Sequence, residues 1–151
     1  MTQNLIFEAA ILAGRQQAFA MLAYQCTYEQ AVFLREVRQS KAYRRTRMTW
    51  EQFCTESAGL SRITAEKLID CLDEFGEAYF RLCGIARMSA DAFRPIAGRV
   101  TADTIELDGE CVRLIPENAP KIRAGVQRLR AELRDVTPDD GPSASDTDSA
   151  R

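Results

Sequence analysis

The chain has 151 residues, 46% of them hydrophobic and 28% charged, with 20 basic against 22 acidic side chains and a formal net charge of −2. That size supports one core-bearing domain with a tail rather than two large domains, and the charge balance excludes a uniformly basic coat for nucleic acid. Histidine is absent, which removes the commonest general base and the commonest metal ligand.

Residues 5–23 are dominated by alanine and large apolar side chains, with Phe7, Ile11, Leu12, Phe19 and Leu22 at helical spacing. The pattern predicts a long helix, apolar over much of its girth, that has to be buried centrally or shared with a second copy of the chain. Glu8, Arg15, Gln16 and Gln17 interrupt the run, so a membrane span is not expected. No basic leader with a cleavage site precedes it, and the expectation is a cytoplasmic protein.

Thr27 with Gln30 three residues on predicts the start of a second helix, with Ala31, Leu34, Val37 and Phe33 inward and Arg35, Arg38 and Lys41 outward. The basic run continues through Arg44, Arg45 and Arg47, and with Glu36 as its lone acid residues 35–47 carry +5. Such a run is either a solvated face or a contact to phosphates beside a reading unit.

Thr49 with Gln52 repeats the capping pattern and opens a third helix, with Trp50 and Phe53 on its apolar face and a stop at Gly59. Ser61 caps a fourth, whose Ala65, Leu68, Ile69 and Leu72 point inward and whose Arg62, Glu66, Lys67, Asp70, Asp73 and Glu74 point outward. Its acids gather toward the C-terminal end, so its first turns are the part suited to phosphate. Gly76 ends it.

Short helices are expected at residues 78–85 and 89–97, the second begun by Ser89 and kinked or restarted at Pro95. Asp108-Gly109 between alternating apolar residues predicts a β-hairpin at residues 103–115, either a wing or an edge flap, with the acidic tip favouring the flap. A closing helix at residues 119–134 carries Ile122, Val126, Leu129 and Leu133 in a narrow stripe. Residues 137–151 turn to Pro, Asp, Ser, Thr and Gly and are expected to be a disordered acidic tail.

The fold class expected is therefore mainly α: a multi-helix domain over residues 1–136, with a helix-turn-helix at residues 49–75 and one small β-hairpin. In a helix-turn-helix the first helix holds the N-terminal end of the second in the major groove, where side chains meet base edges. Gly59-Leu60-Ser61 followed by Ala65, Leu68 and Ile69 has that form, while Thr55 replaces a small residue and Ile63, Glu66 and Asp70 are unusual on a DNA-facing side. The reading unit and its basic support nominate Arg38, Lys41, Arg44, Arg45, Arg47, Ser61, Arg62, Thr64 and Lys67 as DNA-binding residues.

Residues 59–100, with Leu60-Ser61-Arg62 and then Met88-Ser89, also resemble the DNA-binding domain of ParB- and KorB-type partition proteins. The resemblance implies contact roles for Ser61, Arg62, Thr64 and Lys67, with Arg62 toward a guanine edge or a phosphate. The arginine-rich nucleotide-binding box of that family is missing, so no nucleoside triphosphate is implied.

Cys26, Cys54, Cys71, Cys83 and Cys111 stand apart without a C-x-x-C pair and are expected to be buried packing thiols. No phosphate-binding glycine loop or metal-ligand cluster is seen, and no enzyme, metal, cofactor or small-molecule ligand is expected. The expected function is DNA binding as a homodimer on double-stranded DNA, in transcription regulation or mobile-element maintenance in bacteria. The competing class is a non-enzymatic protein-interaction adaptor.

Overall fold

The structure is a computed structural model that describes residues 2–136, so the expected tail at 137–151 lies outside the described residues. Among the described residues it is mainly α, with six α-helices and one two-stranded antiparallel sheet.

The first correction concerns the N-terminal third. In place of two helices there is one, α1, Thr2–Ser40, 39 residues long, or roughly 58 Å at 1.5 Å per residue. No proline or glycine lies between Ala23 and Thr27 to break the ladder, and Thr27 is an interior residue whose hydroxyl donates to the Ala23 carbonyl at 2.9 Å. That bond to the preceding turn satisfies the hydroxyl without a cap.

Central burial of the apolar N-terminal segment does not occur either. Residues 3–16 are all exposed, and Gln17 is the first buried residue of α1. Its C-terminal half behaves as expected for Ala31, Leu34 and Val37, which are buried, but Phe33 is 52% exposed.

After Ser40 the chain leaves the helix through Lys41 in the left-handed region (φ 55°), makes a 3-10 turn, Ala42–Thr46, and leaves that through Arg47 (φ 59°). Helix α2, Trp50–Gln52, runs into a π turn, Phe53–Ser57, and α3, Arg62–Phe75, follows. Leu34, Cys54, Ala65 and Ile69 form the buried centre of this region, with Trp50, Phe53, Ala58, Leu60 and Leu68 packed around them.

Gly76 (φ 69°) separates α3 from α4, Glu77–Cys83. Ser89 caps α5, Ala90–Phe93, by accepting from the Ala92 amide at 3.2 Å, and Pro95 sits at the start of the 3-10 segment Arg94–Arg99, the restart that a missing N–H permits. Strands β1, Thr104–Leu107, and β2, Glu110–Arg113, pair in the register Ile105↔Val112 and Leu107↔Glu110, closed by Asp108 (φ 51°) and Gly109 (φ 76°). Positive φ at both turn residues is what the right-handed strand twist selects.

The hairpin lies on α6, Ala119–Val136. Ile105, Leu107, Val112 and Leu114 join Ile122, Val126 and Leu129, together with Leu82, Phe93 and Ile96, in the larger core. Its acidic tip is pinned to the same helix: Asp108 pairs with Arg128 and Glu110 with Lys121, each at 2.9 Å. This is the flap arrangement: the buried side chains of the hairpin lie in a different cluster from Cys54, Ala65 and Ile69, and of α3 only its last residue, Phe75, reaches the larger core.

The expectation of five buried thiols needs correction. Cys54 and Cys83 are buried and Cys71 is half-buried, but Cys26 and Cys111 are exposed. Cys111 occupies the outward register of β2 opposite Glu106, and Cys26 lies on the outer side of α1. Among the described residues no helix is long and apolar enough to cross a membrane.

Candidate functional site

The segment from Thr49 to Phe75 has the local geometry of two helices joined by a tight turn. Thr49 and Gln52 form a complete capping box: the Gln52 amide donates to the Thr49 hydroxyl at 3.2 Å, and the Thr49 amide donates to the Gln52 side-chain oxygen at 2.9 Å. Thr55 faces outward and donates its hydroxyl to the Glu51 carbonyl at 3.0 Å. Gly59 (φ 67°) then turns the chain, and the Leu60 amide closes the turn on the Cys54 carbonyl at 2.9 Å. A side chain at Gly59 would have space but would be held in a conformation that L-residues resist.

Ser61 caps α3 by accepting from the Thr64 amide at 3.1 Å, and the Ser61 and Thr64 hydroxyls lie 2.9 Å apart. Both predicted contact residues are thus engaged in holding the first turn of α3, and both are exposed. Ala65 is fully buried against α1. A small side chain there lets the helices approach closely.

The outer side of α3 begins with Arg62, Ile63 and Lys67, all exposed, Ile63 at 67%. Arg62 reaches back along its own helix to Glu66 at 3.3 Å, an exposed pair that a ligand can displace at small cost. Lys67 has no carboxylate partner among the described residues.

The basic run separates into two parts. Arg35 is paired across to Asp73 of α3 at 3.1 Å, which ties α1 to the acidic half of that helix. Arg38, Lys41, Arg44, Arg45 and Arg47 are exposed, and none has an ion pair among the described residues.

The turn that carries Lys41, Arg44, Arg45 and Arg47 is attached to α2 by aromatic contact. Tyr43 lies 5.7 Å from Trp50, ring centre to ring centre, and Trp50 stacks on Phe53 at 6.1 Å. Trp50 is therefore the packing anchor between the basic turn and the first helix of the unit. Cys54 sits beneath the junction. Burial raises its pKa, with the negative charge of Glu66 adding to the rise, while Arg62 and Arg38 both lower it. Arg38 of α1 and Arg62 of α3 thus act on one buried atom from two different elements.

The acids at the far end of α3 are largely matched. Glu74 binds Arg94 through both oxygens, at 2.6 and 3.1 Å, and Arg94 also takes Asp91 at 2.7 Å. Asp70 has no ion pair among the described residues.

A concavity absent from the sequence expectations lies further along α1, toward its N-terminal half. It has a volume of about 690 Å³ and is lined by Gln17, Tyr24, Arg87, Arg123, Arg130 and Arg134 among others, with no acidic side chain among the described residues of its wall. Arg123 is fixed there by donating to the Ile85 carbonyl at 2.9 Å and to the Gln17 side-chain oxygen. The arginines of the closing helix were visible in the sequence, but their meeting with Arg87 is a tertiary event with no local signal. Among the described residues no group of three or more Cys, Asp or Glu side chains is arranged to hold a metal ion.

Comparison with family models, with curated proteins and with solved structures yields no match for this chain.

Proposed function

We propose that Thr49 to Phe75 is a helix-turn-helix that binds double-stranded DNA, with the start of α3 toward the groove and the basic turn on the phosphate backbone. The observation that supports this most is the set Arg38, Lys41, Arg44, Arg45 and Arg47. These are five exposed cations without ion pairs among the described residues, Arg38 at the end of α1 and the other four on or beside a turn packed through Tyr43 and Trp50 against the first helix of the unit. Arg62, Ser61, Thr64 and Lys67 form the reading end, in keeping with the resemblance to ParB- and KorB-type domains. A role in transcription regulation or mobile-element maintenance follows from that reading.

Fluorescence anisotropy with a mixed-sequence duplex at several salt concentrations tests it. Affinity should fall steeply with salt, and replacing Arg44, Arg45 and Arg47 with alanine should flatten the dependence by about 0.9 log units per log unit of salt for each phosphate contact removed. Absence of binding at low salt would sink the reading. Arg62→Ala should relax sequence preference more than it weakens non-specific binding.

A protein partner in place of DNA is favoured by one observation: exposed Ile63 with Glu66 and Asp70 beside it makes an apolar and acidic strip on the same helix. Under that reading Ile63→Lys abolishes partner capture, whereas a DNA contact would be strengthened by the added charge.

A further inference from the structure

We propose that the N-terminal arm of α1 pairs antiparallel with the same arm of a second copy of this chain. The inference is independent of DNA binding.

Residues 3–16 are exposed against the described residues, and α1 first docks on the body at Gln17, whose side chain donates to the Gly84 carbonyl at 2.8 Å, with Met21 packed on the larger core four residues on. Leu5, Leu12, Phe19 and Leu22 are each 60–70% exposed. With Glu8 and Arg15 they recur at alternating intervals of three and four residues, the period of a two-helix seam. Gln17 stands two residues from Arg15 and from Phe19, about 200° around the helix, so the seam faces away from the body. Ile6, Phe7 and Ile11 are exposed as well and lie elsewhere around the arm, so the uncovered apolar surface is not confined to this face; apolar side chains of this size left uncovered mark a surface that is buried in use, and the charges single out the seam.

The charges identify the occupant. Glu8 and Arg15 are the only ionisable side chains between residues 3 and 22, and both lie within the seam, seven residues apart. A parallel pair would set Glu8 on Glu8 and Arg15 on Arg15. An antiparallel pair, with its two-fold axis beside Leu12, sets Glu8 of each copy opposite Arg15 of the other, twice over by symmetry. A lipid surface fits less well, because helices that lie in a membrane interface carry a cationic polar face, whereas this arm carries one base balanced by one acid on its apolar face.

Sedimentation equilibrium of the full chain over a concentration series should give a dimer, and Leu12→Glu or Phe19→Glu should raise its dissociation constant at least tenfold. Both residues are exposed, so the far-ultraviolet circular dichroism of these variants should stay that of the folded monomer. Glu8→Arg and Arg15→Glu should each weaken association, and the chain carrying both should recover it.

Orientation is read by crosslinking in a background with Cys26→Ser and Cys111→Ser. Glu8→Cys and Arg15→Cys chains, mixed under mild oxidant, should link to each other faster than either links to itself. Faster self-linking, a wild-type chain that stays monomeric at every concentration, or a monomer that binds phosphatidylcholine or phosphatidylglycerol vesicles each overturns the proposal.

Discussion

Gln17 and Gly84 meet across 67 residues of sequence, the Gln17 amide donating to the Gly84 carbonyl at 2.8 Å while its oxygen accepts from Arg123. Gln17 is the one buried polar side chain among the described residues. Gly84 accepts it because α1 passes close by: a Cβ on Gly84 would come 3.1 Å from the Met21 Cα. Gln17→Ala leaves a buried carbonyl and a guanidinium short of partners, so it should cost about 1–3 kcal/mol. Urea unfolding followed by circular dichroism checks this, and Gln17→Met, similar in shape but unable to donate, should be no better than alanine.

The hairpin is seated on α6 with as little clearance. A Cβ at Gly125 would lie 2.5 Å from Leu107 Cδ1 and 3.1 Å from Leu107 Cγ, inside the larger core. Gly125→Val should therefore destabilise the fold by about 1–3 kcal/mol. Gly125→Ala should cost less, because alanine gains roughly 1 kcal/mol of helix propensity over glycine and the end of Leu107 can shift. Equal midpoints in urea for the Gly125→Val variant and the wild-type chain would show that the hairpin is loosely seated.

Helix capping gives a third expectation. Thr49→Ala removes one bond of the capping box and should cost about 1 kcal/mol. Thr49→Ser should retain most of the stability, since the hydroxyl is what accepts the Gln52 amide. Thermal denaturation of the three chains separates these outcomes. Cap loss at Ser61 has to be measured in the same way before any effect of Ser61→Ala on DNA affinity is interpreted.

A pH dependence follows from Glu74. Its hydrogen bonds to Arg94, with the attraction of that charge added, lower its pKa below 4.5 in the folded chain. A depressed acid contributes stability that is present above the unfolded value and lost as the pH falls through the folded value. Wild type and Glu74→Gln should therefore differ near pH 7 and converge below pH 4.5, in urea midpoints measured along a pH series. A difference that stays constant across this range would remove Glu74 from the acid response.

The thiols divide by environment. Burial pushes Cys83 up to about 11, and burial likewise raises Cys54, so neither forms thiolate readily at neutral pH. Cys26 and Cys111 are exposed. Native chain treated with a thiol reagent at pH 7.5 should label at Cys26 and Cys111 within minutes and at Cys54 and Cys83 only on unfolding, a pattern that peptide mass mapping resolves. Early labelling at Cys83 would mean that α4 opens.

Local chemistry made much of this fold readable. Thr49 with Gln52, Ser61, Ser89, Gly76 and Asp108-Gly109 each act within a few residues, and the structure has the corresponding cap, stop or turn at every one. Thr27 misled because the same hydroxyl that caps a helix can bond to the preceding turn inside one, and only the absence of a breaker between Ala23 and Thr27 distinguishes the two cases. The exposure of the arm, the seat of the hairpin on α6 and the meeting of Arg87 with Arg123 and Arg130 depend on contacts far apart in sequence, which periodicity does not encode. The basic run was visible as a charge count, but its division into Arg35, paired to Asp73, and later cations with no ion pair among the described residues required the position of Asp73.

The unbroken course of α1 has a mechanical consequence. Arm and body are parts of one helix without proline, and the glycine at position 14 sits within the regular ladder. Two chains joined through their arms would be coupled by a strut rather than a tether. Such an assembly would measure distance along whatever it binds with a ruler of fixed length and phase.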